Sequence, residues 1–224
     1  MIESNVQVET DAKTPTKDRI LEAAEALFSE QGFEATSLRM ITAAAGVNLA
    51  AVNYHFHSKD DLIRAVFARR IRPLNEKRLE SLRSFLDAAG DGPLALEGVI
   101  RAFVEPVLTM RRSPQGAAVC RLFGRTYADP SGIARRAFFD LMKEIARPFT
   151  EAFRRALPDL NQVDLLWKMH FSVGVMAHTL AGTDHLTVIS GGLCDLADVD
   201  GTLDRIVAYI AAGMRATPAK LNRS

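Results

Sequence analysis

The sequence predicts an all-α protein with a small N-terminal helix-turn-helix unit and a larger helical region behind it. Three observations carry this reading. Apolar residues recur at spacings of three and four from residue 20 onward, with no sustained alternation of period two. Three helix starts and one turn fall in order within residues 36 to 67. Proline and glycine clusters then cut the remainder into helix-length pieces.

The elements follow in order. Thr14-Pro15 opens the first helix with a capping hydroxyl and a proline at the first helical position. Ile20, Leu21, Ala23, Ala24, Leu27 and Phe28 form its apolar face, Gly32 ends it, and Phe33 is expected to fold back onto the core. Ser37 caps the second helix, in which Leu38, Ile41 and Ala45 face inward. Gly46 occupies the turn, where a positive φ suits a residue without Cβ. Asn48 caps the third helix, with Val52 and Phe56 buried, Ala50, Asn53 and Tyr54 turned outward, and Ala51 and His55 at the flanks. Ser58 with Asp61 resembles a capping box and starts a long helix that runs to about Ala89, with Pro73 inside it. Further helices are expected at about 94 to 111, 115 to 127, 131 to 157, 162 to 182 and 199 to 215, with a Gly-rich loop at 190 to 201 before the last. That makes nine helices, three small and six larger.

In a helix-turn-helix the second helix of the pair enters the DNA major groove. The outward residues of the third helix are therefore candidate base or phosphate contacts. The Asn53 amide can donate and accept at one base edge, adenine being the usual partner. Tyr54, His55 and Lys59 suit phosphates, and Ser37 and Arg39 stand at a helix N-terminus where free amides also favour phosphate. Ala50 and Ala51 offer methyl groups for a thymine methyl or for close approach. Leu49 is ambiguous, since its phase points partly inward. For Tyr54 and His55 the plainer alternative is a cover over the domain core, and for Asn53 a solvated helix position.

The string Tyr54-His55-Phe56-His57-Ser58-Lys59-Asp60-Asp61-Leu62, preceded by a short helix and a glycine turn, resembles the TetR family of transcriptional regulators over residues 16 to 67. Ala51 and Asn53 depart from the Thr or Ser and the Tyr that the family often carries there. The stretch Val47 to Phe56 is closer to the PsrA-type, fatty-acid-responsive subgroup. The polar composition of residues 1–13 reads as a disordered arm, and a disordered tail is expected at 217–224; the resemblance implies a DNA-binding domain at 14–57 and a helical ligand-binding and dimerisation domain at 58–216. It further implies a homodimeric repressor on a palindromic double-stranded DNA operator, released by a small apolar effector; a long-chain fatty acid or acyl-CoA is the expectation from the subgroup.

For that effector, Phe103, Val107, Met110, Phe123, Phe138, Met142, Trp167, His170 and Val173 are candidate cavity residues, since large soft side chains adapt to irregular apolar shapes. Residue by residue, plain core packing is the better account of each. The small residues Gly174, Ala177 and Ala181, with Ala208 and Ala212 on the last helix, are candidates for a close-packed dimer interface. Tight packing within one subunit is the alternative.

Composition sets outer bounds. The 224 residues carry 28 Lys and Arg against 27 Asp and Glu, so the chain is no bulk polycation, and a reading head needs only a local basic surface. Arg39, Lys59, Arg64, Arg69 and Arg70 are candidates for it. The polar, acidic residues 1 to 13 read as neither signal peptide nor anchor, and the most apolar stretch, about 171 to 182, is too short and polar to span a bilayer. A cytoplasmic protein without membrane contact is expected. Two cysteines, Cys120 and Cys194, lie far apart among apolar neighbours and read as inert thiols, with a redox-responsive regulator as the alternative. His170, His178, His185 and Cys194 lack zinc-site spacing, and no HExxH, CxxC, nucleophile elbow or phosphate loop occurs. No enzyme, cofactor or metal is expected, a helical metalloenzyme being the weakest alternative.

Overall fold

The structure, a computed structural model, describes residues 15–126, 129–180 and 185–217. All regular structure among them is helical. The elements are α1 (Thr16–Gln31), α2 (Leu38–Ala45), α3 (Leu49–Phe56), α4 (Lys59–Ala89), α5 (Leu96–Thr109), a 3-10 turn (Met110–Arg112), α6 (Pro114–Arg125), α7 (Ile133–Ala156), α8 (Gln162–Leu180), α9 (His185–Ile189) and α10 (Val199–Arg215). Three expectations are corrected. Pro15 stands at the N-cap of α1, one position before the first helical residue, Thr16. The segment placed at about 94 to 111 ends in a 3-10 turn, and a tenth helix, α9, precedes the Gly-rich loop. With five residues, α9 is too short to produce a readable helical period. The Thr14 cap, the arm at 1–13, nearly all of the tail, and Ala181 lie outside the described residues.

The caps form as their residue types dictate. The side chains of Ser37, Asn48 and Ser58 accept from the backbone N–H groups of Met40, Ala51 and Asp61. Asp61 does not complete the usual reciprocal box; its carboxylate instead accepts from the Ser58 hydroxyl at 2.7 Å. Ile20, Phe28, Phe33, Ile41, Val52 and Phe56 bury together, and the Phe33 ring meets those of Phe28 and Phe67 at a tilt.

α4 is the spine of the molecule. It leaves the N-terminal unit directly after α3 and packs against α5 and α7; α10 lies against α5 and α8. α6 touches α8 on one side and α1 on the other, so the N-terminal unit meets the rest through both α4 and α6. Arginines bolt these contacts. Arg69 pairs with Glu22 at 3.0 Å, and Arg70 with the buried Glu25 at 2.6 Å. Arg64 pairs with Asp61. Of the expected basic surface, Arg69 and Arg70 are therefore engaged with carboxylates of α1, while Arg64 keeps an exposed pair within α4 itself.

At the far side, Arg215 of α10 makes a two-pronged pair with Glu97 of α5. That guanidinium holds the Glu97 carboxyl down to about 2, against an ordinary 4.5. A carboxylate with a lowered folded-state pKa contributes stability above its unfolded value and loses it as pH falls through the folded one. Acidification from about pH 4.5 to about 2 is therefore expected to release this lock. Both groups are half exposed, so solvent screening keeps the contribution small. Melting of wild type and Glu97→Gln should differ at pH 6 and converge near pH 2.

Candidate nucleic-acid interface and effector cavity

The turn between α2 and α3 is built by Gly46. It adopts φ 60° and ψ 42°, and its N–H donates to Ala43 O while that of Val47 donates to Thr42 O, closing α2 with a Schellman motif. A side chain not singled out in the sequence reinforces it. Arg19 of α1 donates from Nε and Nη2 to Ala45 O at 3.1 and 2.7 Å, and from Nη2 to Gly46 O at 2.7 Å. A cation there satisfies carbonyls that the helix end leaves free, and it complements the negative end of the α2 dipole.

This frame presents one face of α3 to solvent. Ala50, Asn53 and Tyr54 are exposed, Tyr54 at 80%, while Ala51 and His55 sit half-buried at the flanks. The Tyr54 and His55 rings meet edge-on at 5.1 Å. Leu49, ambiguous by phase, is exposed at 43%. Ser37 and Arg39 are exposed at the start of α2, and the Lys59 ammonium reaches Glu34 O at 3.4 Å beside the loop that follows α1. All eight candidates thus fall on or beside α2, α3 and the first turn of α4.

His57 closes α3 with φ 54° and ψ −40°, a region L-residues avoid, and the Ser58 N–H donates to Phe56 O across it. This is a tight γ-turn, which stores strain at a non-glycine residue. His57→Gly is expected to raise stability by about 0.5–2 kcal/mol after the glycine's own entropic cost. A thermal or denaturant melt reads this directly.

In the larger region Val107, Phe123, Phe138, Met142 and Val173 line one interior cavity together with Arg78, Met176 and Ala177. Its volume is only about 20 Å³. That is room for roughly one water, against about 300–1,000 Å³ for a typical ligand pocket. Phe103 and Met110 do not line it; Phe103 lies under the Arg78 guanidinium and against Phe149. Trp167 and His170 are corrected outright, being exposed on the outer side of α8.

The small residues divide similarly. Gly174, Ala208 and Ala212 are exposed on α8 and α10, whereas Ala177 faces the cavity. The outer side of α8 also exposes Val163, Leu166, Trp167 and Phe171, and α10 exposes Tyr209. Trp167 and Phe171 stack at 5.6 Å. A groove of about 910 Å³ runs between α8, α9 and α10, with His178, Leu193, Cys194 and Tyr209 in its walls. Cys194 is exposed there rather than enclosed by apolar neighbours, while burial pushes the Cys120 thiol up to about 11 and keeps it protonated at neutral pH. Among the described residues no group of three or more metal-ligating side chains converges, and no helix is long and apolar enough to cross a membrane.

Residues 20–66 match the model for bacterial regulatory proteins of the tetR family, and residues 101–213 match the tetracyclin repressor-like C-terminal domain. The chain belongs to the TetR family. TetR-family proteins are DNA-binding transcriptional regulators, so α2 and α3 are the helix-turn-helix pair of this one. It is 26% identical over 167 residues to the HTH-type transcriptional regulator SrpR of Pseudomonas putida, covering 75% of this chain and 72% of that one. It is 45% identical over 51 residues to the probable regulator YttP of Bacillus subtilis, covering 23% of this chain and only 25% of YttP. Among solved structures, the transcriptional regulator FadR of Bacillus subtilis in complex with stearoyl-CoA shares the TetR fold. Its TM-score is 0.64 at 14% identity, over 88% of this chain and 98% of that one.

Proposed function

We propose that this TetR-family protein is a repressor that holds a pseudo-palindromic operator as a homodimer. It leaves the operator when a long-chain fatty acid or acyl-CoA enters the interior between α4, α5, α6, α7 and α8. The observation that carries the reading is the exposed Ala50–Asn53–Tyr54 face of α3 on a frame fixed by three side-chain caps and the Arg19 clamp. Asn53 reads a base edge, Tyr54, His55 and Lys59 hold phosphates, and Ser37 and Arg39 hold the backbone at the start of α2. Because Arg69 and Arg70 are engaged with carboxylates of α1, Arg39 and Lys59 carry more of the phosphate attraction.

The dimer forms through the outer face of α8 and α10. Gly174, Ala208 and Ala212 allow close approach there, and the exposed Leu166, Trp167, Phe171 and Tyr209 supply the apolar area. A two-fold axis through this face sets two copies of α3 about 34 Å apart, one turn of DNA.

The effector reading follows the PsrA-like α3 sequence, and the stearoyl-CoA complex of a FadR with the same fold makes an acyl ligand a natural choice. The closed interior is then the effector-free state. Entry must displace Phe123, Phe138, Met142 or Met176 and so shift α4 and α6, which both pack against the reading head. Pro73 lies within α4 and removes one backbone bond from it, which makes that helix the compliant one. Such a shift reaches only as far as the effector's differential affinity for the two states.

The test is a fluorescence-anisotropy titration onto the DNA upstream of this protein's own gene, with and without long-chain acyl-CoA or fatty acid. Salt-sensitive binding that weakens with the acyl compound is expected. Tight binding indifferent to either compound removes the acyl effector, and equal release from wild type and Pro73→Ala removes the special role of the bend.

A further inference from the structure

Among the described residues Arg78 is the one cation in the wall of the interior cavity, and its environment is unlike that of the other arginines described above. The residue is 2% exposed, deep on α4. Burial alone lowers its pKa, to about 9, so it remains a cation at neutral pH. Among the described residues no carboxylate forms an ion pair with it, in contrast to Arg69, Arg70 and Arg215. One strong hydrogen bond holds it, from Nε to Phe103 O at 2.8 Å, and its Cζ lies 4.4 Å from the Phe103 ring centre.

The outer edge of the fork is poorly served. Nη1 meets Asn75 Oδ1 at a long 3.4 Å and Met142 Sδ at 3.8 Å, and Nη2 meets Met176 Sδ at 3.9 Å. Thioether sulfur is a weak acceptor. Asn75 is itself pinned through Nδ2 to Leu141 O at 3.0 Å, so it cannot swing in to improve its bond. A desolvated cation with only weak acceptors on its open edge is costly to keep unless something anionic comes to it. The two groups covering that edge, Met142 and Met176, are the flexible ones of the wall, with unbranched side chains that repack easily.

We propose that Arg78 receives the anionic head of the effector, and that this head is a carboxylate on an apolar body. A planar carboxylate matches the two parallel N–H groups of Nη1 and Nη2 and neutralises one charge with one charge. It displaces two thioethers and leaves the Nε bond to Phe103 and the Asn75 anchor in place. A CoA thioester presents only a neutral carbonyl at this depth and leaves its phosphates outside. Of the two effectors offered above, the free acid is therefore the one this cavity selects. The assignment rests on the reading of this interior as the effector site, and it makes α4, the spine that carries the reading head, the element the ligand charge pulls on.

Calorimetric titration of the full-length protein with palmitate, methyl palmitate, palmitoyl-CoA and 2-naphthoate tests it, on wild type, Arg78→Met and Arg78→Lys. Wild type is expected to bind palmitate at least about 10-fold more tightly than the methyl ester, a comparison that needs no variant. Arg78→Met should lose about 10- to 100-fold for palmitate and nothing for the ester, with Arg78→Lys between. Without ligand, Arg78→Met should melt higher than wild type, whereas a purely structural arginine would make it melt lower. Equal affinity of wild type for acid and ester, or equal palmitate affinity of wild type and Arg78→Met, overturns the assignment. So does binding of palmitoyl-CoA without any carboxylate, an outcome that leaves the acyl effector standing. Arg78-dependent binding of 2-naphthoate without palmitate does the reverse, keeping the carboxylate receptor and removing the acyl chain. Binding of none of the four by a wild type that still holds its DNA overturns both.

Discussion

Phe171→Asp is expected to leave the chain folded, make it monomeric, and weaken operator binding by about 10²-fold or more. Phe171 is 60% exposed on α8 and stacks on Trp167, which is itself 56% exposed. A substitution at such a position costs the single subunit little, within about 0.5 kcal/mol. In a two-fold interface the same change appears twice, each time placing a carboxylate against apolar area with no partner for its charge. A monomer then reaches one half-site, and the affinity gained by linking two reading heads is lost. Sedimentation velocity reads the first effect, anisotropy the second, and an unchanged melting curve controls for folding. A variant that stays dimeric would move the interface elsewhere on the molecule.

The second large effect is expected at the α2–α3 turn. Gly46 sits at φ 60°, and a Cβ there would lie 3.4 Å from Arg19 Nη2. Gly46→Val forces a β-branched residue into the left-handed region and crowds the clamp, a cost of about 2–3 kcal/mol. Arg19→Ala keeps the backbone but strips the donors from Ala45 O and Gly46 O, a loss of about 1–3 kcal/mol. The two effects meet at one point, so the double variant should fall short of their sum. Chemical denaturation followed by circular dichroism measures each. DNA affinity should fall with both, because each loosens the angle between α2 and α3 without touching a base.

Arg19 shows where sequence reasoning stopped. The local signals of the reading head were legible because each is a short-range rule: Ser37, Asn48 and Ser58 cap the helix that begins next to them, and Gly46 serves its own turn. Arg19 acts across 26 positions, and the Arg69 and Arg70 pairs with α1 across 45 or more. Nothing local distinguishes such an arginine from a solvated one, and so the sequence offers Arg69 and Arg70 as part of a basic surface. Arg78 carries no local signal for the same reason, since only the packing of α5, α7 and α8 around it reveals its burial.

α8 is ambiguous in sequence for a different cause. It is apolar on two faces, one turned to the interior through Val173, Met176 and Leu180, the other outward through Leu166, Trp167 and Phe171. Periodicity cannot say which face meets the cavity, and so Trp167 and His170 were expected inside and Ala177 outside. The large aromatic residues of the outer face, rather than the small ones alone, are the stronger mark of a partner.

The central claim is sequence-specific recognition of DNA by a two-fold pair of α3 helices, and selection from random duplex DNA with the purified protein tests it most directly. The recovered sites should be pseudo-palindromic, with half-sites centred about one helical turn apart, and Asn53→Ala should relax one base position in each half at a cost of about 1–3 kcal/mol. Recovery of no common sequence, or of a motif that Asn53→Ala and Tyr54→Ala leave unchanged in both sequence and affinity, would contradict it.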